Sequence, residues 1–150
     1  MSEPGPIVLD LPSEASVLSL VRAALRAVAE DTRHVRLLPR EVDEIQVVVQ
    51  EACTNVIRHA HKGDASKRLV VEILRRDDAL EILVRDTGPA FVLETRKRDT
   101  EDELSEGGYG ITIMRSWMDE VSLTRDGAEN LLRMVRRYKA EVGGERVAAR

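Results

Sequence analysis

The chain has 150 residues, of which 43% are hydrophobic, 27 are acidic and 23 basic, with a formal net charge of −4. That is the length of one domain with enough apolar material for one core. The interspersed charges form no basic stripe of the kind a nucleic-acid backbone demands, and no run of eighteen uncharged apolar residues offers a membrane span. The aromatics Phe91, Tyr109, Trp117 and Tyr138 are too scattered to form a base-stacking series. The opening Met1–Pro6 lacks the basic and apolar regions of a secretory signal. The single cysteine, Cys53, cannot close an internal disulfide, so a cytoplasmic protein is expected, with no direct nucleic-acid partner and no membrane.

Residues 1–6 read as a disordered N-terminus. Ile7 to Leu11 read as a short strand ended by Pro12. Ser13 is placed to cap a helix in which Val17, Leu18, Val21, Leu25 and Val28 recur at helical spacing, fading near Asp31. Pro39 suits the first turn of a second helix, and Glu41, Asp43 and Glu44 suit its positive end. That helix is predicted to run to about Ala60, burying Ile45, Val48, Val49, Ala52 and Val56. At about 100° per residue, Glu44, Glu51, Asn55, Arg58 and Lys62 share a polar strip beside the buried stripe. His59 is expected at the helix–sheet interface and His61 in solvent; no carboxylate or Cys set accompanies them at metal-ligand spacing.

After a turn at Gly63–Ser66, Leu69–Leu74 and Leu80–Arg85 read as strands joined by a hairpin turn over Arg75–Asp78, with Asp86 closing the second. From Thr87 to Glu106 apolar periodicity is weak, and the run Arg96–Glu103 is almost wholly ionic; a stretch this long without elements is usually functional or mobile. Gly107-Gly108-Tyr109-Gly110 then leads into a short helix carrying Ile111, Ile113, Met114 and Trp117. Asp119–Arg125 and Asn130–Tyr138 read as a closing hairpin around Asp126-Gly127, followed by a flexible tail over 139–150. The order β-α-α-β-β-loop-α-β-β favours an α+β fold, a two-layer sandwich whose mostly antiparallel sheet is covered on one face by helices.

Three features carry chemistry. Glu51 and Asn55, four residues apart, project from one side of a helix. Asp86 at a strand end is followed by Gly88. Gly107, Gly108 and Gly110 open a helix, where bare N–H groups suit phosphates. Taken singly, the bland readings win: a solvated helix face, a simple turn and a flexible connector. Their order and intervals reverse those odds.

The block Glu51-Ala-Cys-Thr-Asn55-Val-Ile-Arg58-His59-Ala60 resembles the N box of the GHKL ATPase superfamily, with its histidine-kinase-like (Bergerat) ATP-binding fold. Asp86-Thr-Gly88-Pro-Ala-Phe91 resembles its adenine box, and Gly107 to Val121 its phosphate-binding glycine box. The last stretch is most similar to the anti-sigma factor serine/threonine kinases of bacteria, and the resemblance spans roughly Ile7 to Tyr138. The resemblance implies an ATP-dependent protein kinase. Asn55 would bind the Mg2+ that bridges the ATP phosphates, and Glu51 would be the general base for a substrate Ser or Thr hydroxyl. Asp86, with Gly88, would receive the adenine, while Arg58, Gly107, Gly108, Gly110, Ile111 and Thr112 would complete the nucleotide site, with residues 92–106 as the ATP lid. It also implies a homodimer that phosphorylates a STAS-type anti-sigma factor antagonist and sequesters a sigma factor.

The sequence departs from the family pattern in three places. Ala90 stands where a second glycine is common in the adenine box. Glu129-Asn130-Leu131-Leu132 replaces a frequent Gly-Thr pair, leaving Asn130 as a candidate polar contact near the adenine. Ser105-Glu106 occupies the place of an Arg that reaches the terminal phosphate, for which Arg96, Lys97 or Arg98 would have to substitute. Two rivals follow: an ATP-responsive partner switch with little or no kinase activity, and an interaction protein that no longer binds nucleotide.

Overall fold

The computed structural model describes residues 2–90 and 108–139; Phe91, the expected lid at 92–106, Gly107 and the tail from residue 140 lie outside the described residues. The elements are β1 (Ile7–Pro12), α1 (Leu18–Ala29), α2 (Pro39–Asn55), β2 (Arg68–Arg75), β3 (Ala79–Asp86), α3 (Gly108–Trp117), β4 (Glu120–Asp126) and β5 (Glu129–Arg137). The five strands form one sheet in the order β1-β2-β3-β5-β4, and all four pairings are antiparallel.

Alternation along the strands sends one face of the sheet to the helices. Leu69, Val71 and Ile73 of β2, Leu80, Ile82 and Val84 of β3, and Leu132 and Met134 of β5 share that face and are buried. Against them lie Val21, Leu25 and Val28 of α1, Val42, Ile45, Val48, Val49 and Ala52 of α2, and Met114 of α3. Three polar residues occupy inward positions among these apolar ones: Asn130 and Arg136 on β5 and Arg125 on β4. Arg136 has its partners in the helix layer, while Asn130 and Arg125 bond to each other and to Asp86 and the loop after it.

Arg136 ties the two layers together. Its Nη2 donates to Glu41 Oε1 at 3.1 Å, and its Nη1 donates to Glu44 Oε2 at 3.0 Å and to the Trp117 carbonyl at the end of α3. Glu41 in turn accepts the Leu38 N–H at 2.7 Å, so one buried carboxylate both starts α2, whose first residue is Pro39, and anchors it to the sheet.

The sequence-based picture needs three local corrections. Ser13 does not cap a helix: α1 begins only after a 3-10 turn at Ala15–Val17, and neither start carries a side-chain cap bond. Ser13 is fully buried, its N–H bonded to the Lys67 carbonyl at 3.0 Å and its Oγ 2.8 Å from His61 Nδ1. The second helix is α-helical only to Asn55 and continues as a π turn, Val56–Ala60, in which the His61 N–H reaches back to the Val56 carbonyl at 2.8 Å. The extra residue in that wider turn rotates everything after it by about 100°. The two histidines therefore exchange environments: His59 is exposed and His61 is buried. Lys62 and Gly63, both at positive φ (50° and 76°), then end the helix.

That π turn ends against the first loop after β3. A Cβ built on Gly88 would lie 2.5 Å from Ala60 Cβ and 2.9 Å from Ala60 Cα, far inside van der Waals contact. Glycine is required here by the approach of the helix backbone.

Three outcomes test this packing. Gly88→Ala should lower the unfolding free energy by about 1–3 kcal/mol, the cost of overpacking, and Ala60→Gly in the same chain should recover part of it in denaturant melts. Arg136→Leu strands the buried Glu41 carboxylate and should cost about 3 kcal/mol, read in the same way. Burial pushes the Cys53 thiol up to about 12, so a disulfide reagent at pH 8 should leave the folded protein unlabelled and react only on unfolding.

Candidate functional site

The polar strip of α2 divides into two halves with different chemistry. Toward the N-terminus, Glu41 and Glu44 are committed to Arg136. Toward the C-terminus, Glu51 and Asn55 are half-buried and Arg58 is exposed, and none of their side chains takes a hydrogen bond or ion pair from a described residue. A carboxylate and a carboxamide held at the edge of a core without partners among the described residues are available to a ligand. Cys53 and Ala52, between them, are fully buried and fix the rotation of the helix.

Asp86, the last residue of β3, is buried at 4% exposure. Its Oδ1 accepts the Gly88 N–H at 2.8 Å and Asn130 Nδ2 at 3.0 Å. The second oxygen, Oδ2, takes no hydrogen bond from a described residue, leaving an acceptor at a strand end. Asn130 Nδ2 also lies 3.1 Å from the Gly88 carbonyl and 3.1 Å from the Pro89 carbonyl, and Arg125 Nη1 donates to both the Gly88 carbonyl and Asn130 Oδ1 at 3.0 Å. Strand register explains the row: Asp86 pairs with Asn130, and Asn130 with Arg125.

The contact of Gly88 with Ala60 joins these two regions, because Ala60 lies five residues beyond Asn55 on the same continuous helix. Gly108 and Gly110 fall in the first turn of α3, where backbone N–H groups have no partner within the helix. Ile111 is half-buried, Thr112 is exposed, and α3 packs on α2. Gly107 lies outside the described residues. Sequence reasoning misses one contributor, Arg125, which reads only as a strand residue, and it finds Asn130 but not the bonds its amide makes inside the protein. Their inward parity on β4 and β5 was the available signal.

The residues fit a phosphate-bound hard cation better than a dedicated metal cage. No group of three His, Cys, Asp or Glu side chains able to hold a metal ion occurs among the described residues. The Asn55 carboxamide supplies one hard oxygen of the kind Mg2+ accepts while keeping waters and phosphate oxygens. No helix among the described residues is long and apolar enough to cross a membrane.

Comparison with known proteins agrees with this geometry. The profile of the histidine kinase-like ATPase domain matches residues 11–136. The serine-protein kinase RsbW of Bacillus pumilus is 32% identical over 127 residues, spanning 78% of this chain and 76% of that protein. RsbW of Listeria monocytogenes is 34% identical over 128 residues, spanning 80% of each. Among solved structures, the RsbU and RsbW domains of a Mycobacterium tuberculosis protein superpose with a TM-score of 0.63 at 16% identity, over 89% of this chain and 32% of that one. The SiaB–SiaC complex of Pseudomonas aeruginosa gives 0.61 at 19%, over 86% and 88%. These two likenesses speak to the fold. With the family profile spanning nearly all the described sheet and helices, and relatives above 30% identity over most of their length, the chain belongs to the histidine kinase-like ATPase family, in its bacterial anti-sigma factor serine/threonine kinase branch.

Proposed function

We propose that this protein binds Mg-ATP between the α2 face, the end of β3 and the start of α3, and transfers the terminal phosphate to a Ser or Thr of a STAS-type anti-sigma factor antagonist. In the same reading it is a cytoplasmic homodimer that sequesters a sigma factor and so regulates transcription. The observation that carries the proposal is the Gly88–Ala60 contact, which sets the loop after Asp86 against the helix five residues beyond Asn55. Helix length adds support. Arg136 holds the end of α3 beside Glu44. Ten residues of α3 span about 15 Å, much the same as the distance from Glu44 to Asn55 along α2.

Each residue then has a task. Asp86 Oδ2 accepts from the amino group of the base. Asn55 presents its amide oxygen to the cation, and the backbone of Gly107, Gly108 and Gly110, continued by Ile111 and Thr112, faces the phosphates. Arg58, exposed in the π turn that follows Asn55, adds positive charge at the mouth. Glu51 Oε takes the proton of the attacking hydroxyl. Bound Mg2+ supplies charge neutralisation on the phosphate oxygens, the main requirement of phosphoryl transfer.

The partner-switch alternative, with nucleotide bound but little transfer, draws on Ser105-Glu106 standing where family kinases often carry Arg. Labelled ATP and the antagonist separate the readings. The kinase reading expects label on the antagonist, reduced about 10²-fold or more in Glu51→Gln, while that variant keeps the Mg-ATP-induced rise in melting temperature. Ligand at a hundred times its dissociation constant stabilises by about 2.7 kcal/mol, and Asp86→Asn should lose most of this rise. A thermal shift without label selects the partner switch. No shift with millimolar Mg-ATP in the wild type would sink both.

A further inference from the structure

Asn130 occupies an inward position on β5 whose neighbours on that face, Leu132 and Met134, are apolar, and it is 1% exposed. A buried amide is tolerated only when its hydrogen bonds are made, and here the surroundings leave one assignment. Three oxygens, Asp86 Oδ1 and the Gly88 and Pro89 carbonyls, lie 3.0–3.1 Å from Nδ2, and only the Arg125 guanidinium faces Oδ1. A flipped amide would put oxygen against three oxygens and NH2 against a cation. Nδ2 has two hydrogens for three acceptors, so Asn130 has no N–H left to donate to a bound base, and Arg125 holds its Oδ1.

We propose that Arg125 and Asn130 are a positioning pair: the Arg125 guanidinium locks the Asn130 amide, and the amide holds the Asp86 carboxylate and the Gly88–Pro89 backbone in the geometry that receives the base. Arg125 also grips the Gly88 carbonyl directly at 3.0 Å. The edge hairpin β4–β5 thus acts on the site through Asp86, without touching the ligand. This inference rests on the nucleotide-binding reading above.

Two variants test it, with Mg-ATP as the probe in calorimetric titrations from pH 6 to 8.5. Asn130→Asp removes the donor to Asp86 Oδ1 and sets a second carboxylate against it, while the Arg125 guanidinium facing that position favours the ionised form of the new carboxyl. The variant should bind Mg-ATP about tenfold or more weakly across this range. Arg125→Met, at an exposed residue, should weaken binding several-fold with little change in melting temperature, and Arg125→Lys should recover part of it. A structural role alone would lower stability and leave the affinity of the folded protein unchanged. If Asn130→Asp does not fold, Arg125→Met still decides. Wild-type affinity in either Asn130→Asp or Arg125→Met overturns the proposal while wild-type binding stands. A wild type that does not bind Mg-ATP overturns the nucleotide reading and this inference together.

Discussion

The close approach of Gly88 to Ala60 is the contact on which the site depends. It is where the loop after the central strand β3 meets the end of the longest helix, and the separation leaves no room for a side chain carbon. Packing in protein interiors transmits displacement because there are few voids to absorb it. Widening this contact by the width of a methyl group would therefore carry Asp86 away from the α2 face that holds Glu51 and Asn55. The π turn serves the same end: the wider turn places Ala60 against the loop and buries His61 on Ser13, locking the helix end to the end of β1.

Two polar clusters at opposite ends of the sheet hold this arrangement from either side. At one end Arg136 binds Glu41, Glu44 and the last turn of α3. At the other, Arg125 and Asn130 bind Asp86 and its following loop. Each cluster draws its arginine from the C-terminal hairpin, Arg136 from β5 and Arg125 from β4, so the hairpin ties α2, the end of α3 and the loop after β3 to the sheet. Between them α2 changes character along its length, from carboxylates already paired to a carboxylate and an amide left open. A face that is fully satisfied internally has nothing to give a ligand; the unsatisfied half is where chemistry can occur.

Much of the fold was legible because periodicity is a local property. Alternation in Leu69–Leu74 and Leu80–Arg85, helical spacing from Ile45 to Val56, and the Asp126-Gly127 signal each needed only a window of the chain, and the observed elements follow them within a residue or two. The turn itself is Gly127-Ala128, between the paired Asp126 and Glu129 and one position beyond the Asp-Gly pair, with Gly127 at φ 59° in the first loop position. The errors sit where long-range contacts outweigh local preference. Ser13 has the chemistry of a cap but is taken by His61, 48 residues away, and the π turn leaves no mark in composition.

Glu51, Asn55, Asp86, Gly88 and the glycines before Ile111 can be singled out as candidates from the sequence because their type, order and spacing are one-dimensional. Which oxygens and amides are free could be decided only by tertiary structure. Asn130 reads as a candidate contact for the base, yet the register of three strands places it between Asp86 and Arg125, where its N–H groups are used within the protein. Glu44 and Glu51 look alike on a helical projection, yet one meets Arg136 and the other meets no described partner. Hydrogen-bond capacity is finite and is consumed by whichever group arrives across the fold, and residue spacing along the chain does not encode that arrival.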